Sequence, residues 1–133
     1  MNNVSAINQV ILDTLDTMLL QSGLVSAISD TELLRGTKSC VVVNTVQNEV
    51  LPVFLQCKWD VFCKIIIHGT DCYSKWANVT NNILDANFID SLNNLSDSSL
   101  KFLSWYMVSN KLYYTERGIR SVIQFSLSTE TNT

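Results

Sequence analysis

The stretch Lys58-Trp59-Asp60-Val61-Phe62-Cys63-Lys64-Ile65-Ile66-Ile67-His68 decides the fold. Trp59, Val61, Cys63, Ile65 and Ile67 share one parity, and Lys58, Asp60, Phe62, Lys64, Ile66 and His68 share the other. Side chains alternate across a strand, so this pattern sets one apolar face against a core and leaves a mixed face opposite. A long strand is predicted over about residues 53–68. Pro52 precedes it, where a missing backbone donor is tolerated.

Past His68-Gly69 the period changes. Cys72, Trp76, Val79 and Ile83 recur at steps of four, three and four, which predicts an amphipathic helix over about residues 71–86. Thr70 is placed to cap it, and Asp71 favours the positive end of the helix dipole. Toward the N-terminus, Val4, Ile7, Val10, Ile11, Leu15, Met18 and Leu19 predict a first helix over residues 4–22, with Asn3 or Ser5 as cap and Gly23 ending it. Residues 24–37 read as a loop with a short strand or helical turn. Ser39-Cys40-Val41-Val42-Val43-Asn44 is β-branched and short, as a buried strand should be.

Residues 87–99 are Asn-, Ser- and Asp-rich and read as a connector with at most a helical turn. Two strands then close the chain, Leu100 to Tyr114 and Arg117 to Ser128. Between them Thr115-Glu116-Arg117-Gly118 is a hairpin turn. The order helix, strand pair, helix, strand pair packs most simply as one α+β domain over residues 1–133: a four-stranded, mostly antiparallel sheet with two helices on one face.

Composition narrows the function. Apolar residues make up 47% of the 133 and charged residues 16%, against about 25% charged in ordinary soluble domains. So small a chain has a limited interior, and the excess suggests that partners cover part of its surface. The net charge of −3 comes with scattered Lys and Arg, so no basic stripe for direct nucleic-acid binding is visible. Trp59, Trp76, Trp105, Phe102, Tyr106, Tyr113 and Tyr114 could stack on bases. Lys101, Lys111, Arg117 and Arg120 are too dispersed in sequence to line the cationic groove such stacking needs. No run approaches the roughly 18–20 apolar residues of a membrane span, and the N-terminus lacks a signal-like basic region, so a cytosolic chain is expected.

Cys40, Cys57, Cys63 and Cys72 are then expected to be free and largely buried. Cys57, Cys63, His68 and Cys72 could in principle form a zinc site, but the spacing contains no C-x₂₋₄-C knuckle. His68 is the only histidine, so any Cys–His or Ser–His–Asp chemistry would have to use it. There is no G-x-S-x-G elbow, Walker loop or G-x-G-x-x-G motif. Neither an enzyme nor a cofactor is expected.

Four segments carry a family resemblance: the helix Val4–Gln21, the strand Cys40-Val41-Val42-Val43, the Trp-led strand Lys58–Ile67 running into Asp71-Cys72-Tyr73-Ser74-Lys75-Trp76, and the closing strand Ile119–Leu127. In this order the chain resembles the phage tail terminator proteins of the lambda-type minor tail protein U family over about residues 4–128. It departs in having Ser39 where the family often has Pro, and in its four cysteines. The resemblance implies a structural virion protein at the head-proximal end of the tail, assembled in the host cytoplasm. It would form a hexameric ring on the tail-tube protein, end tube growth and meet a head-completion or neck protein, while DNA passes through the lumen without specific binding. A head-completion or neck protein of similar fold is the alternative, and a small thiol or metal-binding module on His68, Cys63 and Cys72 is a third. Expected subunit and tube contacts are Val41, Val43, Val53, Phe54, Trp59, Val61, Arg35 and Lys38.

Overall fold

The computed structural model describes residues 4–31, 39–51, 55–96 and 100–130. Helix α1 (Val4–Leu15) buries Ile7, Ile11 and Leu15, one residue per turn, and runs into a π-helical turn at Asp16–Leu20 that buries Leu19. Thr14 and Thr17 donate back to the Val10 and Asp13 carbonyls at 2.8 and 3.2 Å, the side-chain competition that bends helices. Gly23, at φ +80°, ends the segment as its sequence position predicts. Of the two caps expected for α1, Asn3 lies outside the described residues and Ser5 sits inside the helix.

The strands are β1 (Ala27–Ser29), β2 (Cys40–Leu51), β3 (Gln56–His68), β4 (Phe102–Thr115) and β5 (Gly118–Glu130). They form one sheet in the order β1-β2-β3-β5-β4, with β1 parallel to β2 and every other pair antiparallel. Two further helices are α2 (Cys72–Leu84) and α3 (Phe88–Leu95). The α+β class therefore holds, but the described sheet has five strands rather than four, and three helices cover it rather than two. β1 is only three residues long, too short to display a period. α3 forms from the expected connector because Phe88 and Leu92 are buried, while Asn93 bonds the backbone of Phe102 in both directions, at 2.8 and 2.9 Å. Asp71 rather than Thr70 precedes α2, in a left-handed conformation and without a side-chain cap bond.

The predicted alternation of β3 is seen in full: Cys57, Trp59, Val61, Cys63, Ile65 and Ile67 are buried beneath the helices. β2 supplies Val41 and Val43 to the same face, β5 supplies Ile119, Ile123, Phe125 and Leu127, and α2 covers them with Val79 and Ile83. Three polar side chains within this core are paired with groups on the sheet. Trp59 Nε1 donates to Thr129 Oγ1 at 2.9 Å, Trp76 Nε1 to Ser121 Oγ at 2.7 Å, and Asn8 Nδ2 to the Val43 carbonyl at 3.1 Å.

The expected hairpin is present, with Thr115 paired to Gly118. A Cβ at Gly118 would run into the carbonyl oxygen of Ile67 in the neighbouring β3, and the atoms nearest to it are all backbone, so no side chain can yield. Gly118→Ala is expected to lower stability by about 1–3 kcal/mol, the usual cost of overpacking. A urea titration checks this, and an unchanged midpoint would show that the β3–β5 ladder can spread at its end.

Candidate assembly interface

Four of the expected contact residues cannot serve as such. Val41, Val43, Trp59 and Val61 are fully buried in the chain's own core, because β2 and β3 lie inside the sheet with helices over that face. Arg35, Lys38, Val53 and Phe54 lie outside the described residues.

Among the described residues the exposed apolar side chains are densest on β4, the outermost strand, with Val46 and Val50 of β2 exposed as well. Tyr106, Met107, Val108, Tyr113 and Tyr114 are all exposed, up to 67% for Tyr114. Only the start of the strand is covered. Phe102 is buried, and Trp105 stacks on Phe125 at 4.2 Å and donates to the Ile83 carbonyl. Beyond Met107 the helices no longer reach across the sheet. Two register shifts interrupt the ladder with β5, leaving Leu103 and Val108 as extra residues in bulges. The sequence signal for this surface is present: Trp105-Tyr106-Met107-Val108 and Leu112-Tyr113-Tyr114 are apolar at both parities. Such a run reads equally well as a central strand, and only the strand order separates the two.

The opposite margin differs in chemistry. β1 pairs only with Cys40, Val41 and Val42, and from Asn44 to Leu51 β2 pairs with no other described strand on its outer side. There α1 and β2 enclose a groove of about 260 Å³ lined by Ser5, Gln9, Leu12, Asp30, Asn44 and Thr45, among others. Residues 4–31 carry Asp13, Asp16 and Asp30 and no Lys or Arg, whereas β4 carries Lys111 and no carboxylate. The two margins of one sheet thus differ in sign.

The helix-free face gathers cations that are scattered in sequence. Lys111 lies across Val122 from Lys64, and Arg120 lies beside Tyr113 two rungs on. The face also holds Lys58 and Asp60.

The proposed thiol–imidazole constellation is not assembled. Cys57 and Cys63 sit six residues apart on one strand, roughly 20 Å at the usual strand rise. His68 has the opposite parity and faces away from both. Among the described residues no three His, Cys, Asp or Glu side chains converge. His68 Nδ1 and Thr80 Oγ1 are buried without a hydrogen-bond partner among the described atoms. No family model matches this sequence, and no curated protein does either.

Burial pushes the Cys63 thiol up to about 12 from the ordinary 9.0, and burial also raises Cys40 and Cys57. A raised thiol pKa means that the folded state holds the neutral form while the unfolded chain releases a proton more readily. The stability this contributes is complete below 9.0 and is lost as pH rises toward about 12. Denaturation midpoints are expected to fall across that alkaline window, and Cys63→Val to flatten the fall. A thiol reagent should modify Cys63 only on unfolding; rapid labelling of the native protein at that position would contradict the burial.

Proposed function

We propose that the chain is a non-enzymatic structural subunit of a virion, a tail-terminator-like protein that forms a ring on the last layer of a tail tube and joins it to the head or neck. The observation that supports this most is β4, a fourteen-residue outer strand with six large apolar side chains exposed. Long exposed edge strands are a liability that proteins blunt or cover, and a neighbouring subunit covers one while gaining its hydrogen bonds. The second support is the unlike character of the two margins. Unlike margins fit head-to-tail contacts, which generate closed rings or open filaments, rather than self-complementary dimers. The third is the order of elements in the sequence, which resembles that family.

In this reading the tube, the neck protein and sister copies are the partners, and the lumen passes DNA without reading its sequence. No described helix is long and apolar enough to cross a membrane. The test is mass and effect together. Light scattering of the purified protein, alone and with tail-tube protein, is expected to give a closed oligomer, six copies by the resemblance. Added to growing tubes, the protein should halt their elongation. A chain that stays monomeric at high concentration and leaves tube length unchanged would rule the reading out.

A further inference from the structure

We propose that β4 of one copy adds antiparallel to the uncovered outer margin of β2 in the next, seating Met107 in the groove between α1 and β2. This deepens the ring reading and relies on it only for closure of the ring. Three observations carry it.

The first is direction. The pairs β2–β3, β3–β5 and β5–β4 are each antiparallel, so three reversals leave β4 running opposite to β2. A sheet continued from one copy into the next without turning over therefore places β4 antiparallel to the neighbour's β2. The helices of both copies then lie on the same side.

The second is height along the strands. Met107 pairs with Phe125, Phe125 with Val61 and Val61 with Thr45, so Met107 and Thr45 occupy one rung and one face. Thr45 lines the groove, and Met107 is 44% exposed. Carried across at the same height, the Met107 side chain enters the neighbour's groove beside Thr45. An unbranched thioether suits an irregular cleft of this kind. The next residue, Val108, is the extra residue of a bulge, and Ser109 lies on the rung of Gln124, Phe62 and Asn44. Two rungs further along, at Val42, lies Ser29, the last residue of β1, so an added strand must step outward near this bulge to pass it.

The third is charge. Lys111 shares a rung with Val122, Lys64, Val42 and Ser29, and Asp30 follows Ser29 at the exposed end of β1. An added β4 sets its one cation on the rung next to the neighbour's Asp30. Two β4 strands facing each other would offer neither Lys111 a carboxylate.

Met107 and Lys111 are both exposed, so the variant Met107→Glu, Lys111→Glu is expected to keep its circular dichroism spectrum and melting temperature. Sedimentation should show that it needs an about tenfold or greater concentration to assemble, the size of effect expected for like charges set against each other at an interface. The charge exchange Lys111→Asp with Asp30→Lys, in one chain, should recover most of the assembly lost by Lys111→Asp alone. If the double variant assembles as the parent does, this pairing is overturned while the ring reading stands. If the charge exchange does no better than the single change, Asp30 is not the neighbour of Lys111, and the proposed register is overturned. A parent chain that never assembles, alone or on tubes, defeats both readings.

Discussion

The structure depends on the central position of β3. Its thirteen residues pair one for one with β5 on one side, and nearly all of them pair with β2 on the other. Antiparallel ladders on both sides fix which side chains face the helices, because a slip of one residue would turn every buried side chain toward solvent. Trp59 reinforces the register, since its indole nitrogen reaches Thr129 on β5 only in this alignment. With the central strand fixed, α1, α2 and α3 cover one face, and the outer strands take what cover remains. The helices extend over β2, β3 and β5 but reach only the first residues of β4. The exposed margin thus follows from the width of three short helices laid over five strands.

Long periodic segments were legible in the sequence for a physical reason. Each has one face buried, and burial imprints a period of two or of nearly four on residue choice. α1, β3, α2 and the β4–β5 hairpin all fall within a few residues of their expected limits. β1 was legible only as one of two readings of residues 24–37, a short strand or a helical turn, and α3 only as a helical turn within a connector. Three residues cannot express a period, and α3 lies in an Asn-, Ser- and Asp-rich stretch whose helical state is imposed by tertiary contacts, Phe88 against Trp105 and Asn93 against Phe102. Four of the expected contact residues lie in the core for a related reason. Core and interface share the same apolar chemistry, so apolarity alone selected Val41, Val43, Trp59 and Val61, which the core had already taken. Telling one from the other requires the strand order, and the strand order is a non-local property.

The cysteines illustrate the same distinction at the level of single atoms. In sequence, Cys57, Cys63, His68 and Cys72 look like neighbours. In the sheet, strand rise separates the first two thiols, and parity turns His68 to the other face. Cys63 is fully buried and its thiol is held neutral, the state of a small apolar core residue rather than of a nucleophile, which must be a thiolate.

Exposed edges normally threaten uncontrolled association, and this sheet carries devices that limit it. The bulges at Leu103 and Val108 break the outer strand into short regular runs, and the bulge at Asn48, tied to Asp60 at 3.1 Å, does the same on β2. A flat partner strand of arbitrary sequence would meet these interruptions out of step. A partner whose own margin also steps, and whose charge is opposite, would suit them better. The second margin of the same sheet has both properties. Bulges, the short β1 and the sign difference therefore act in one direction: they raise the cost of indiscriminate strand addition while leaving copies of this chain a geometry in which to join. That combination, more than apolar exposure alone, distinguishes an edge suited to ordered assembly from an edge prone to aggregation.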